Sequence, residues 1–485
     1  MPPRRLNDPN LATTIGPVKP LWLMLGGVLA ATVASTGPLP ASGGDSGSPL
    51  VMNHSAHDRL DAELRAIVDD PAEPLASLSV LAVRDGAVVY HRQFGFRRIN
   101  GEDPRRSLPA DGDTLYRIAS ISKLITSIGV MRLVEDGLLD LDADVSAYLG
   151  FQLRNPHFPE VPITLRMLMS HTSSLRDNGG YYWDYSTGLA LRDALVPGGR
   201  AYGQGRMWAA DAPPGAYFHY ANLPWGVIGT VMERVTGERF DRLMRRLVLD
   251  PLNLPGGFSP ADLPPEQVRN IATLYRKRPA GDDEAGWNPA GRWIAQTDDF
   301  GDRPPAPRAG DDYVPGANGT LFGPQGNCRL SADSLGRVMR MLMNGGELYG
   351  RRILSEQSVD LMLAEQWRFD GRNGNAGGEF TDADVAAMNA WGLGVQRFLD
   401  ISRGQGKGDR LVEPGGFAAV GHMGDAYGLT SAMVFDRERK IGLIFLVGGV
   451  GFDPTKKPGK YSAMRRYEER ILTALYRRAV LNDAE

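Results

Sequence analysis

The sequence predicts an α/β (α+β) fold in which an antiparallel sheet, formed from both chain ends, is flanked by helices and interrupted by an inserted all-helical region. Three observations lead to this prediction. Strand-turn-strand patterns occur near the start and near the end of the chain, helical patterns dominate the middle, and a long amphipathic helix follows the last strands. Residues 57–485 contain no second linker and no repeat, so we expect one domain there.

The two strand patterns have the form of β-hairpins. In residues 77–96, two apolar runs flank Asp85-Gly86, a pair typical of two-residue hairpin turns. Residues 429–449 repeat this design, and residues 460–481 predict the closing helix. A cleft between such a sheet and the inserted helices is the natural place for a binding site.

Charge and cysteine content exclude several classes of function. The chain has 485 residues, and its 54 basic and 57 acidic side chains give a net charge of −3 without a basic stripe. Nucleic-acid binding is therefore not expected. Cys328 is the single cysteine, so neither an intrachain disulfide nor a cysteine metal cluster can form. We expect no metal ion and no cofactor.

The N-terminal segment differs in composition from the rest of the chain. Basic residues precede a run of 14 apolar or small residues, 21–34, which is shorter than the roughly 20 that span a bilayer. We expect residues 1–41 to be a signal peptide, or an anchor that tethers the protein to a membrane if it is not cleaved. Residues 42–56 predict a flexible linker. The product should be periplasmic or secreted, or else inner-membrane anchored.

A serine and a lysine stand three residues apart in a predicted helix. Apolar residues in 115–137 recur with helical spacing and predict an amphipathic helix that ends near Gly137. Ser120 and Lys123 are neighbours on one face of such a helix. A lysine beside an apolar stripe pays a desolvation cost, so its place next to a serine needs an explanation.

Further phrases follow in a fixed order along the chain. A Ser-x-x-Lys alone occurs by chance about once in a chain of this length. Here a Tyr-x-Asn and a His-x-Gly lie downstream, and the three pairs are Ser120 and Lys123, Tyr220 and Asn222, and His422 and Gly424. In this order the chain resembles the penicillin-recognising serine hydrolases, which include serine β-lactamases, DD-peptidases and related esterases and D-aminopeptidases. The resemblance covers about residues 60–480 and implies a β-lactamase-like fold.

The chemistry of that family explains why these residue types occur together. A serine hydroxyl becomes a good nucleophile when a neighbouring base takes its proton, and a buried lysine can act as that base. The resemblance assigns these roles to Ser120 and Lys123. Tyr220 would hold or return the proton if its phenol is acidified by the lysine, and Asn222 would orient both the lysine and a substrate amide.

The resemblance also implies an oxyanion hole, which consists of two donors directed at the oxygen that gains charge. These donors are the backbone N–H groups of Ser120 and Asp425. Gly424 would keep the strand clear, because a side chain there would obstruct the substrate. The expected substrate is a small ester, amide or D-amino-acid peptide.

Two positions depart from the family pattern. Ser173-Ser174 replaces a Ser-Gly, which puts a tight turn in doubt. His422 replaces the lysine with which β-lactamases and DD-peptidases bind a substrate carboxylate, and histidine is only partly charged near neutrality. Family members with histidine there are largely esterases and D-amino-acid peptidases, which favours an ester or amide hydrolase over an antibiotic-resistance enzyme.

Several alternatives remain open at this stage. His171 is expected to be a core or capping residue, and the aromatic stretch 181–188 could either line the cleft or pack its own loop. The alternative enzyme is a true β-lactamase or DD-carboxypeptidase. The alternative outside enzymology is a catalytically silent binding protein of the same fold, although such a protein has no need for the complete set of motif residues.

Overall fold

The computed structural model describes residues 54–278, 287–301, 305–374 and 387–483. The predicted signal peptide or anchor, and the predicted linker up to residue 53, lie outside the described residues. Helix α1, His54–Val68, begins the described chain, so the last three residues of the predicted linker are helical.

A nine-stranded antiparallel sheet forms the centre of the molecule. Its strands, in chain order, are β1 (Ser77–Arg84), β2 (Ala87–Arg98), β3 (Leu108–Pro109), β10 (Trp367–Arg368), β11 (Ala390–Trp391), β12 (Gln396–Phe398), β13 (Ala419–Ala426), β14 (Leu429–Asp436) and β15 (Ile441–Val447). Their spatial order is β10-β11-β12-β13-β14-β15-β1-β2-β3. Because β1 lies beside β15, the two chain ends share one sheet, which confirms the predicted fold class.

Both predicted hairpins are present. Asp85 and Gly86 join β1 to β2 with φ angles of 53° and 76°, the left-handed conformations that a two-residue hairpin turn requires. Strands β14 and β15 form the second hairpin, in which Thr430 faces Val447 and Asp436 faces Ile441. Apolar runs on β1, β14 and β15 are buried on both faces, as expected for strands covered by helices on each side.

Helices cover both faces of the sheet. The further helices are α2 (Ile121–Glu135), α3 (Ser146–Leu149), α4 (Leu165–Met169), α5 (Leu191–Leu195), α6 (Leu223–Thr236), α7 (Phe240–Met244), α8 (Pro265–Arg269), α9 (Ala332–Met343), α10 (Glu356–Leu363) and α11 (Arg466–Ala474). Helices α1 and α11 pack on one face, where Leu60, Leu64 and Ile471 join the sheet residues in one apolar cluster. Helices α2 and α9 belong to the larger cluster on the other face. None of the helices in the described residues is long and apolar enough to cross a bilayer.

The inserted region is mostly helical, but it also contains short strands. Strands β5 (Leu274–Arg278) and β6 (Arg292–Thr297) pair with each other, and β16 (Gly449–Val450) adds to β5 in parallel. Two smaller pairs are β4 (Tyr116–Arg117) with β7 (Arg329–Leu330), and β8 (Glu347–Leu348) with β9 (Arg351–Arg352). These two- to six-residue strands are too short to give a clear periodic signal in the sequence.

Helix α2 is buried around its whole circumference. Every residue from Ile121 to Met131 is buried, because the helix lies between the sheet and the inserted helices. The prediction of an amphipathic helix with one buried stripe was therefore wrong. The sequence still carried a hint, since the predicted solvent face holds small residues such as Ser122, Ser127 and Gly129 rather than a row of charges.

Candidate active site

Ser120 stands at the start of α2, directly after a strained backbone position. Ala119 has a φ of 46°, a left-handed conformation that residues other than glycine rarely adopt. Two hydrogen bonds hold the backbone of Ile118, which precedes this position. Its N–H donates to Cys328 O at 2.9 Å, and its carbonyl accepts from Ser431 Oγ at 3.1 Å. As the N-cap residue, Ser120 has a backbone N–H without an intrahelical acceptor.

Lys123 is the buried cation beside the serine. Its Nζ donates to Ser120 Oγ at 3.0 Å, to Asn222 Oδ1 at 2.9 Å and to the Gln325 carbonyl at 3.2 Å. The side chain is 0% exposed, and this desolvation lowers the lysine pKa to about 7, against an opposing effect of the Asp177 carboxylate. Burial therefore makes the neutral form of Lys123 accessible near neutral pH.

Asn222 is held between the lysine and a carboxylate. Asp177 accepts from Asn222 N–H at 2.8 and 2.9 Å, from Asn222 Nδ2 at 3.0 Å and from Leu223 N–H at 2.8 Å. The carboxylate thus caps α6 at its N-terminus, where the helix leaves N–H groups unpaired. It also fixes the amide so that Oδ1 faces Lys123, which agrees with the predicted contact between Asn222 and the lysine.

Tyr220 lies over the same lysine. Lys123 Nζ is 4.8 Å from the centre of the Tyr220 ring, and the phenol hydrogen-bonds to the Ser120 side chain. Burial raises the pKa of the Tyr220 phenol above its usual value, and the hydrogen bond to Ser120 only partly opposes this effect. The expectation of a phenol acidified by the lysine was wrong, because desolvation dominates.

His171 and Trp391 support Tyr220 from behind. The His171 ring stacks on Tyr220 at a centroid distance of 4.5 Å, and Trp391 meets Tyr220 edge to face at 5.6 Å. His171 is 1% exposed, and its Nδ1 accepts from Ala221 N–H at 3.2 Å. This packing fixes the direction of the Tyr220 hydroxyl.

His422 is buried and neutral. Desolvation, followed by the charge of Lys123, lowers the His422 pKa to about 3. Its Nδ1–H donates to the Met423 carbonyl at 2.5 Å, so Nε2 is the nitrogen with a free lone pair. Nε2 is buried and has no partner among the described residues. The expected partial positive charge near neutrality was therefore wrong, since a 3% exposed imidazole cannot keep a proton beside a lysine.

Gly424 allows β13 to touch the start of α2. A Cβ atom there would lie 2.4 Å from Ser431 Oγ and 2.7 Å from the Ile118 carbonyl. The close approach is to the protein's own backbone, so the physical need for glycine differs from the predicted clearance for a substrate.

Asp425 follows on the free edge of β13. Strand β12 pairs with β13 only at residues 419–421, and residues 422–426 border the cleft. The Asp425 side chain forms an ion pair with Arg465, which also contacts Glu468. The Asp425 side chain is therefore held by Arg465 at the border of the cleft.

The site opens into one cleft of about 840 Å³ between the sheet and the inserted region. Its walls include the motif residues Ser120, Tyr220, Asn222, His422, Gly424 and Asp425. From the aromatic stretch, Tyr181 and Tyr182 line the cleft, and Tyr181, Trp183 and Tyr185 pack against the core. The stretch therefore both lines the cleft and packs its own loop, and Tyr181 does both.

The turn at Ser173-Ser174 forms without glycine. Ser174 adopts a φ of 63°, and its Oγ accepts from Asn155 Nδ2 at 3.0 Å. This buried hydrogen bond offsets part of the conformational cost of a left-handed serine.

Sequence reasoning missed two residues of the site. Asp177 holds Asn222, and Gln325 presents its carbonyl to Lys123. Nothing in the local sequence marks either residue, because both reach the site through contacts between segments far apart in the chain. Among the described residues, no group of three or more histidine, cysteine, aspartate or glutamate side chains is placed to hold a metal ion.

A serine, a lysine and a tyrosine that meet between this sheet and a helical region define the class of penicillin-recognising serine hydrolases. The family model named Beta-lactamase matches residues 64–464. The chain therefore belongs to the β-lactamase family, a family of serine hydrolases that includes esterases and penicillin-binding proteins, as the resemblance predicted.

Individual relatives are distant. Esterase EstB of Burkholderia gladioli is 32% identical over 209 residues, which cover 40% of this chain and 50% of the esterase. Penicillin-binding protein 4 of Amycolatopsis lactamdurans is 26% identical over 62% of this chain and 79% of that protein. In the first relatives the match spans half of the relative's length or less, 50% of the esterase and 41% of penicillin-binding protein 4* of Bacillus subtilis.

Solved structures show the same fold. The D-amino acid amidase of Ochrobactrum anthropi, in complex with D-phenylalanine, superposes with a TM-score of 0.54 at 19% identity, covering 86% of this chain and 99% of the amidase. The octameric penicillin-binding protein homologue of Pyrococcus abyssi gives a TM-score of 0.54 at 22% identity, covering 82% of this chain and 75% of that one.

Proposed function

We propose that this protein is a serine hydrolase that cleaves a small ester or amide through an acyl-enzyme on Ser120. The observation that carries the proposal is the contact between Lys123 Nζ and Ser120 Oγ, 3.0 Å long, with a lysine pKa of about 7. A buried amine that is partly neutral at working pH is the form of lysine able to accept the serine proton.

The proposed reaction begins with attack of Ser120 Oγ on the substrate carbonyl while neutral Lys123 accepts the hydroxyl proton. The backbone N–H groups of Ser120 and Asp425 stabilise the oxyanion. Collapse of the tetrahedral intermediate breaks the ester or amide bond, and the Tyr220 hydroxyl, with Lys123 behind it, passes a proton to the leaving group. Water then attacks the carbonyl of the acyl-enzyme while Lys123 accepts a proton from the water. This proton returns to Ser120 Oγ as the ester bond breaks, and the acid is released.

Asn222 and Asp177 position the base. With Oδ1 on Lys123 and Nδ2 on Asp177, the amide of Asn222 keeps the lysine directed at the serine. The remaining Nδ2 hydrogen is available to a substrate carbonyl.

The neutral His422 favours ester and D-amino-acid amide substrates over β-lactams. With a pKa of about 3, His422 provides no cation at the position where β-lactamases and DD-peptidases carry a lysine for the carboxylate of a penicillin or cephalosporin. The names of two similar proteins, an esterase and a D-amino acid amidase, are consistent with such substrates.

The proposal is tested by comparing three substrates: p-nitrophenyl butyrate, D-phenylalanine amide and a chromogenic cephalosporin. We expect turnover of the ester or the amide, and loss of that turnover to background in Ser120→Ala. Cephalosporin hydrolysis with a kcat/KM of about 10⁴ M⁻¹s⁻¹ or more would instead identify a true β-lactamase. Absence of turnover for all three, with no acylation of Ser120, would favour a catalytically silent binding protein.

We also propose that the protein is exported. The support is the apolar run 21–34 with its preceding basic residues. Fractionation of cells that express the full chain, with sequencing of the mature N-terminus, tests this. Periplasmic or secreted protein with residues 1–41 removed is the expected result, and intact chain in the cytoplasm would contradict it.

A further inference from the structure

The cleft contains a cationic side chain, Arg308, that forms no ion pair with a carboxylate of the described residues. Three arginines line the cleft in the described residues: Arg117, Arg308 and Arg465. Arg465 forms ion pairs with Asp425 and Glu468, so its charge is compensated. The charges of Arg117 and Arg308 are compensated less completely.

Arg117 has one carboxylate partner among the described residues, and it shares this partner with another arginine. Asp298 accepts from Arg329 Nη2 at 2.7 Å and from Arg329 Nε at 3.1 Å, and Arg117 Nη2 reaches the same carboxylate at 3.3 Å. Arg329 and Asp298 are each 1% exposed in their side chains. One carboxylate therefore faces two guanidinium groups, which leaves a net positive charge at this end of the cleft.

Arg308 adds a further positive charge without a carboxylate partner. Among the described residues its guanidinium hydrogen-bonds to the Leu321 carbonyl at 3.5 Å and to the Tyr182 side chain, and it forms no ion pair. Burial, followed by the charge of Arg117, lowers the Arg308 pKa, and the charge of Asp298 opposes this effect only in part. Binding of an anion stabilises a half-buried arginine that has no ion-pair partner, because the charge then makes charge-assisted hydrogen bonds.

Two tyrosines complete the walls around these arginines. The Arg117 guanidinium carbon lies 5.3 Å from the centre of the Tyr427 ring, and Tyr182 contacts Arg308 from the inserted region. Both tyrosines are partly exposed, at 50% and 40%, so a ligand can reach this end of the cleft. The planar guanidinium fork matches a carboxylate with two parallel hydrogen bonds.

We propose that Arg308, with Arg117 behind it, binds a carboxylate on the substrate, and that the natural substrate is an anionic ester or amide. This inference rests on the proposed hydrolase function, because it names the substrate class of the same cleft. The cation that recognises the substrate is then located on the wall formed by Arg308, Tyr182 and Tyr427, and not at His422.

The test uses two matched substrate pairs, because the carboxylate could be carried by the acyl group or by the leaving group. The acyl pair is mono-p-nitrophenyl pimelate and its methyl ester. The leaving-group pair is 4-(butyryloxy)benzoate and its methyl ester. For each pair, the ratio of kcat/KM for the anionic member to that for the neutral member is measured in wild type, Arg308→Gln, Arg308→Lys and Arg351→Gln.

We expect the anionic member of at least one pair to be preferred by wild type. Arg308→Gln should lower the ratio about 10- to 100-fold through a higher KM, as expected for loss of one charge-assisted contact. Arg308→Lys should restore part of the ratio. Lysine keeps the positive charge but lacks the planar guanidinium group that donates two parallel hydrogen bonds. Arg351 is an exposed arginine in β9 outside the cleft, so Arg351→Gln should keep the wild-type ratio.

The outcomes separate this inference from the proposed function. Labelling of Ser120 by a fluorophosphonate is measured in each variant to verify an intact site. If Ser120 is labelled but neither pair shows a preference, or the preference survives Arg308→Gln, the carboxylate site is disproved and the hydrolase proposal stands. If wild type is not labelled, the hydrolase proposal fails, and calorimetric titration of Ser120→Ala and Ser120→Ala/Arg308→Gln with 4-(butyryloxy)benzoate decides on the carboxylate site by itself.

Discussion

Asp177 holds Asn222 at its backbone and at its side chain, with three hydrogen bonds of 2.8 to 3.0 Å. The same carboxylate raises the pKa of Lys123 against the effect of burial. Asp177 is thus linked to the base both mechanically, through Asn222, and electrostatically.

Replacing Asp177 by asparagine should change the pH profile as well as the rate. Removal of the negative charge lowers the Lys123 pKa below about 7, so the rising limb of kcat/KM against pH moves to lower pH. Misplacement of Asn222 should lower kcat about 10- to 100-fold. The profile is measured with p-nitrophenyl butyrate. Asp142→Asn, at an exposed ion pair with Arg166, is the control and should change neither quantity. A slower variant with an unmoved profile would mean that Asp177 acts on Asn222 alone.

The wild-type pH profile should report the lysine. Because the neutral form of Lys123 is the base, kcat/KM should rise with pH through a midpoint of about 7 and fall as the lysine becomes protonated below it. His422, with a pKa of about 3, should add no second step between about pH 5 and 9. Lys123→Ala should keep its circular dichroism spectrum and lose acylation. Acylation of that variant at a rate near that of wild type would show that another base operates.

Tyr220→Phe tests the proton path to the leaving group. We expect a loss in turnover of roughly 10²- to 10⁴-fold, the range typical of a general acid or base. The ring stays in place because His171 and Trp391 pack against it, so stability should change little. Turnover is measured with an ester and an amide, and the loss should be larger for the amide, whose leaving group needs the proton more. A drop of less than about threefold for both would limit Tyr220 to packing.

Gly424→Ala tests the contact between β13 and α2. The added methyl group meets Ser431 Oγ at 2.4 Å and the Ile118 carbonyl at 2.7 Å, so strand and helix start must move apart. We expect a loss of activity of at least about tenfold together with a lower melting temperature. Gly101→Ala, where a Cβ meets nothing within 4 Å, is the matched control and should leave both unchanged. Wild-type activity in Gly424→Ala would show that the contact relaxes without cost.

The sequence predicted the parts of the site that depend on local pattern and order. The hairpin at Asp85-Gly86 and the motif pairs could be found because turn chemistry and fixed spacing are visible in one short stretch. The fold class could be predicted because strand patterns occur at both chain ends. Strands β1 and β15 do pair in one sheet, so the end of the chain lies beside its beginning.

What the sequence could not give depends on burial and on distant contacts. The neutral state of His422 and the raised pKa of Tyr220 arise from desolvation by segments that are remote in the chain. No local sequence pattern identifies Asp177 or Arg308, because their roles depend on the charged groups that lie beside them in the folded chain. Helix α2 was assigned one buried face, whereas the inserted helices cover the other face as well.

The assignment of Ser120 as the nucleophile is tested by labelling with a fluorophosphonate followed by peptide mapping. We expect one adduct per chain, on the peptide that contains Ser120, because this serine has Lys123 Nζ at 3.0 Å and Tyr220 beside it. Ser120→Ala should not be labelled, and Lys123→Ala should be labelled at a greatly reduced rate. Labelling that survives in Ser120→Ala, or an adduct that maps to a different residue, would contradict the assignment.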